Sequence, residues 1–255
     1  MTQSPRFARI TRGIVAMAIV ALAPRAGPLV AQTAPAAATA AATAAATAAP
    51  AGIPSKLSNA DFWKLVSDFS ETNGFFRSDN YVSNESTYQW VIPGLLRTTK
   101  PGGVYLGVGP DQNFTYLVAL QPKIAFIFDI RRQNLLTHLM YKALIEQSAN
   151  RADFVARLFA RPRPAGLDTT STADAIFTAF AGVAPDSTSF HRGLDGIRDQ
   201  LIKVHGFALS SDDLATLASV YEAFVSAGPD ITYNYSPHRP SYGRGRMPSY
   251  AELQT

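Results

Sequence analysis

The stretch VYLGVGPDQNFTYLVALQPKIAFIFD, Val104 to Asp129, decides how this chain folds. Val104–Val108 is a short apolar run bounded by Gly103 and Gly109, and Lys123–Asp129 is a near-continuous apolar run that ends in an acid. Apolar runs of that length predict strands, and the second, lacking polar alternation, predicts a strand covered on both faces. Between them, Asn113–Leu120 sets Phe114, Leu117 and Val118 on one helical face. Strand, short helix, strand is a βαβ unit, so the sheet is expected to be parallel and the fold class α/β.

Helices are expected on either side of this unit. Ser58, with Asp61 three residues on, is a helix start, and Phe62, Leu65, Val66 and Phe69 follow at helical spacing. Asn73–Ser86 is a polar and aromatic loop that suits a cover over a site or an ordinary surface loop equally. Leu135, Leu136, Leu139, Met140, Ala143 and Leu144 form a broad stripe that should pack on the sheet. Residues 151–227 read as helices over about Arg151–Ala160, Ala173–Ala181, His191–Val204 and Asp212–Ala227, punctuated by Pro162, Pro164, Gly206 and Gly228. A third strand is expected at Ile231–Tyr235. These assignments give an α/β domain over 54–235 with a mostly helical insertion at about 151–227. A flexible Tyr-, Gly- and Arg-rich tail over 236–255 follows, with no closing element. So few strands for so many helices suggest a sheet incomplete at the C-terminus, in a fragment of a longer chain.

The N-terminus carries its own signals. Arg6, Arg9 and Arg12 precede an apolar run, Gly13–Ala23, that Pro24 and Arg25 interrupt. A bilayer-crossing helix needs about 20 apolar residues. A basic start, a short apolar core and small residues up to Ala31 predict a secretory signal over 1–31, with a short membrane anchor as the alternative. The expected location is therefore periplasmic or extracellular. The whole chain has 23 basic and 19 acidic side chains, and the four arginines of the signal account for the excess. A near-neutral mature chain gives no reason to expect a nucleic-acid partner. Cysteine is absent, which excludes disulfides, thiolate metal sites and a lipid-anchoring Cys. Residues 32–53, almost only Ala, Thr and Pro, read as a disordered spacer.

Chemistry concentrates at the end of the first strand. Gly107 and Gly109 stand where strand becomes helix, where missing Cβ atoms let a ligand approach the backbone and a helix start presents free N–H groups. Asp129, 20 residues after Gly109, ends the next strand and can accept ribose hydroxyls. Gly107, Gly109 and Asp129 are therefore the candidate cofactor-binding residues for a nucleotide-like or other small molecule. Arg131 and Asn134, with Arg132, are the candidate substrate residues, since guanidinium groups grip anions. Asn134 and His138 lie one turn apart, and His138 and Tyr141 three residues apart. The histidines show no metal-ligand spacing, and no G-x-S-x-G elbow is present. Asp79 with Glu85, and Arg244 with Arg246, are weaker candidates for acid–base work and anion binding. Ordinary surface roles are the alternative for all of these.

The stretch from about Val104 to Asp129 resembles the first βαβ unit of class I S-adenosylmethionine-dependent methyltransferases, a Rossmann-like fold. The resemblance implies that Gly107 and Gly109 wrap the methionine part of S-adenosylmethionine and that Asp129 holds its ribose. The family's usual acid before the loop is here Tyr105, and its third glycine is Asp111. A longer span, about Phe62 to Pro164, is similar to a family of bacterial exported proteins of unknown function through GFFRSDNYVSNE (Gly74–Glu85), YLGVGPDQNFTYLVAL (Tyr105–Leu120) and FDIRRQNLLTHLMYKAL (Phe128–Leu144). Export opposes a cytoplasmic cofactor such as S-adenosylmethionine. Two readings follow: a ligand site that can support catalysis, or a non-catalytic envelope or secreted scaffold that kept the fold. An open pocket bounded by Gly107, Gly109 and Asp129 favours the first; Tyr105 or Phe114 filling that space favours the second.

Overall fold

Residues 54, 56–71, 73–235 and 246–255 are described by the structure, a computed structural model of the chain. The expected signal and spacer, and Arg244, lie outside them. Helix α1 spans Asn59–Phe69, its Ser58 cap accepting from the Asp61 N–H. A 3-10 turn at Tyr88–Val91 leads into α2, Ile92–Thr98, with Pro93 in its first turn. Then come β1 (Val104–Val108), α3 (Gln112–Leu120), β2 (Ile124–Phe128) and α4 (Arg132–Glu146). Helices α5 (Arg151–Leu158), α6 (Ala173–Phe180) and α7 (Ser187–Asp199) follow, α7 ending in a π turn at Gln200–Val204. Helix α8 (Ser211–Ala227) and the short α9 (Tyr250–Gln254) complete the described elements.

The protein is mixed α/β and mostly helical among the described residues. The sheet formed by the described residues is a parallel pair, with Val104 opposite Ile124 and Val108 opposite Phe128. Only an isolated bridge, Thr232 to Ser249, forms where a third strand was expected. The Tyr235 N–H turns back onto the Thr232 carbonyl and the Tyr233 carbonyl is taken by the Tyr81 N–H, so the segment coils instead of extending.

The core sits among helices and not on the sheet. Helix α4 packs along α8, burying Leu136, Leu139, Met140 and Tyr141 against Leu217, Val220, Tyr221 and Phe224. The helices over 151–227, expected as an insertion, supply much of this core. The strands are much less covered than their sequence suggested. Leu106 and Val108 are 67% and 70% exposed on one sheet face. On that same face β2 meets α1 through Phe69 against Phe126 at 6.2 Å between ring centroids. Helix α1 is also held by Phe207, on which Trp63 stacks at 4.9 Å, whereas Trp90 stands in solvent.

The end of the described chain corrects the expectation of a loose tail over all of 236–255. Ser249 and Glu252 form a capping box for α9, and Tyr250 and Leu253 are buried. Tyr250 meets Phe159, Phe177 and Phe224 edge-on at 5.7, 6.0 and 6.5 Å. Apolar burial of this kind orders a helix far too short to persist alone.

Candidate functional site

The glycine turn after β1 closes on the chain's own side chains. Gly109 adopts φ +83°, a left-handed conformation that favours glycine, and its N–H donates to the Phe128 carbonyl at 3.0 Å. Asn113, fully buried, turns back over the loop, and its Nδ2 reaches the carbonyls of Val108, Gly109 and Pro110 at 3.1, 3.2 and 2.7 Å. Its Oδ1 accepts from the Tyr105 hydroxyl at 2.7 Å. A Cβ on Gly107 would collide with Asn113 Oδ1 and lie 2.6 Å from the Tyr105 ring. Gly107 thus makes room for Tyr105 and Asn113. The space that S-adenosylmethionine's methionine part would need beside Gly107 is filled, so these residues do not fit that cofactor.

Asp111, which stands where the resembling family has its third glycine, is buried beside the turn. Its carboxylate accepts from the Ser83 N–H at 3.0 Å and from Gln254 Nε2 at 3.1 Å. Burial pushes its pKa up to about 6 despite those hydrogen bonds.

Asp129 and Arg131 form a buried ion pair at the start of α4. Asp129 Oδ1 accepts from the Arg131 N–H at 2.8 Å and lies 3.6 Å from Arg131 Nε. Arg131 Nη1 donates to the Ser78 carbonyl and to Gln133, leaving Nε and Nη2 without a hydrogen bond among the described residues. Arg132 pairs with Asp213, Nη2 to Oδ2 at 2.9 Å, and its N–H donates to Asn73 Oδ1 at 2.8 Å. That hydrogen-bonded pairing holds the Asp213 carboxyl below its usual value and raises the guanidinium. The loop from Asn73 is fastened here as well, its Gly74 N–H donating to the Ile130 carbonyl at 2.8 Å.

One turn further along α4, His138 Nε2 lies 3.0 Å from the Gly109 carbonyl and its ring meets Phe114 edge-on at 5.4 Å. Burial pushes this imidazole below its ordinary pKa. Asn134 Oδ1 and His138 Nδ1 are both buried and have no hydrogen-bond partner among the described residues.

These residues flank a half-open cavity of about 530 Å³ between α1, β2 and α4. Phe62, Leu65 and Val66 line it from α1, and Ile124, Phe126 and Phe128 from β2. Asp129, Arg131, Asn134 and His138 stand in its remaining wall. Of the residues singled out from the sequence, Asp129, Arg131 and Asn134 therefore share this cavity, whereas Gly107 and Gly109 are not in its lining. A second, open cavity of about 500 Å³ has Asp79, Arg131, Arg132, Asp212 and Asp213 in its lining; Glu85 is not in its wall. Arg246 pairs with Glu252 on α9. Asn113, as the clamp of the turn, and the His138–Gly109 contact were missed, since both are contacts of side chains to backbone that no spacing rule marks.

A family described as a domain of unknown function, DUF7790, matches residues 81–168. The match takes in the glycine turn, β2 and α4 but not α1, so one wall of the larger cavity lies outside it. Neither comparison with curated proteins nor comparison with solved structures finds a match. Among the described residues no helix is long and apolar enough to cross a membrane.

Proposed function

We propose that this domain binds a small molecule with an apolar body in the cavity between α1, β2 and α4. The observation that carries the reading is the cavity itself, about 530 Å³ and walled by Phe62, Phe126 and Phe128 on one side and by Asp129, Arg131 and Asn134 on the other. Ligand sites combine such a largely apolar lining with a few polar groups that orient the ligand. Asp129, Arg131 and Asn134 act in this reading as binding residues, while Gly107 and Gly109 shape the turn that supports them. Titrating the purified domain with aromatic fragments by ligand-observed NMR tests it. Binding that disappears in a Leu135→Trp variant, which fills the cavity from α4, is the expected outcome. Binding unchanged by that substitution, or no binding at all, sinks the reading.

A second reading, a scaffold without a ligand, is favoured by Tyr105 and Asn113 occupying the space beside Gly107. It expects the same titration to be silent. In both readings residues 1–31 direct export, an assignment supported by the basic start and short apolar core. Mature protein beginning near Gln32 is the expected result of N-terminal sequencing, and intact Met1 material in the cytosol would contradict it.

A further inference from the structure

We infer that the apolar body of the ligand is a long, flexible aliphatic chain, which starts in the cavity and continues over the bare face of the sheet beside it. The inference rests on the ligand-binding reading of that cavity and adds the class of its occupant.

The cavity wall runs into the exposed sheet face without a break. Phe69, Phe128 and Ile130 line the cavity yet are 64%, 47% and 61% exposed, so they stand at its mouth. Phe126, another wall residue, joins two of them, its ring 6.2 Å from Phe69 and stacked on Phe128 at 6.4 Å. Residues opposite one another in a parallel pair project to the same face. Val104 is opposite Ile124, Leu106 opposite Phe126 and Val108 opposite Phe128, and all three β2 residues line the cavity. Val104, Leu106 and Val108, each more than half exposed, therefore widen that wall by one strand outside the cavity. Neither strand carries a charged side chain, and the one polar side chain, that of Tyr105, is turned to Asn113.

Shape selects the occupant. The strip is two strands wide, about 5 Å apart, and about 13 Å long at a rise of about 3.3 Å per residue. A stable protein interface engages about 20–30 residues a side, far more than the strip and the cavity mouth present. A compact ring system fills the cavity and leaves the strip in water. A chain covers both, and each methylene it lays on the strip removes further apolar surface from water.

The n-alkyl maltosides from octyl to tetradecyl, titrated calorimetrically below their micelle-forming concentrations, test this. Affinity should keep rising through tetradecyl, by about twofold per methylene for groups that bury one side only. Leu106→Asp, and the milder Leu106→Ser, change the strip and not the cavity lining. Both should bind octyl maltoside as the wild type does and lose the gain from decyl to tetradecyl. Leu135→Trp should abolish binding of the whole series. An affinity that levels off at octyl, or a gain undiminished in both Leu106 variants, overturns the chain assignment and leaves the cavity reading standing. Binding of the series that survives Leu135→Trp places the chain outside the cavity and overturns it too. No maltoside binding while aromatic fragments still bind sinks the inference alone; silence from both sinks the cavity reading with it.

Discussion

At the residue scale, two buried groups beside the glycine turn carry the sharpest consequences. Gly107→Ala places a methyl group onto Asn113 Oδ1 and the Tyr105 ring. Overpacking of this kind costs about 1–3 kcal/mol, which urea unfolding would register as a lower midpoint. Asp111 gives stability a pH dependence of unusual sign. Its folded pKa, about 6, lies above its ordinary 3.8, so the folded form holds a proton that the unfolded chain has released. Its contribution is greatest below pH 3.8 and is lost as pH rises through about 6. Asp111→Asn should remove that slope and be neutral or stabilising above pH 6; an unchanged slope would count against a buried, protonatable Asp111. The glycine at a strand-to-helix turn was legible in the sequence, and Gly109 does adopt a positive φ. Asp111 was legible only as a departure from a family pattern, because its partners, Ser83 and Gln254, are 28 and 143 residues away.

At the scale of elements, the ends of helices bind the molecule together. Asp213 is both the third residue of the capping box at the start of α8 and the acceptor of Arg132 at the start of α4. Asp213→Ala removes a cap and a charge-assisted pair at once, and should cost ~3 kcal/mol, readable in denaturant unfolding. Near the far end of α4, Glu146 accepts from Lys142, from Gln200 at 3.0 Å and from His205 at 2.6 Å, and His205 Nδ1 reaches Asn59 Oδ1 at 3.1 Å on α1. Burial raises the Glu146 carboxyl, but the hydrogen bonds from Lys142, His205 and Gln200 outweigh it and bring it from 4.5 down to about 2. This contribution is present above pH 4.5 and is lost as pH falls toward 2, the opposite sense to Asp111. The stability gap between wild type and Glu146→Gln should close over that range. Caps followed by periodic apolar residues, as at Ser58 and Ser210, were readable. Helix α7 starts at Ser187 because Asp186 caps it, four residues before the apolar pattern suggested. The turn and helix over Tyr88–Thr98 carry no clear periodicity, and only Tyr88 of them is buried.

At the scale of the whole molecule, the described chain is closed by its last ten residues. Leu253's carbonyl accepts from Tyr88 and Gln89, Gln254 donates to Asp111, and Tyr250 fills the aromatic cluster at Phe159 and Phe224. Tyr250→Ala should therefore cost about 3–5 kcal/mol and lower the midpoint of the whole domain. The parallel pair of strands was plain in the sequence because each is a bounded apolar run. That the helices would bury one another, leaving much of the sheet bare, depends on which stripes meet, and neither propensity nor spacing carries that information. The contrasting settings of the two tryptophans also make the protein its own optical probe. Trp63, stacked on Phe207, rides on the helix whose neighbouring Phe62 lines the cavity, and should emit at short wavelength, shielded from iodide. Trp90, 79% exposed, should emit to the red and be quenched readily. Occupation of the cavity would then show as a change confined to the shielded, blue component.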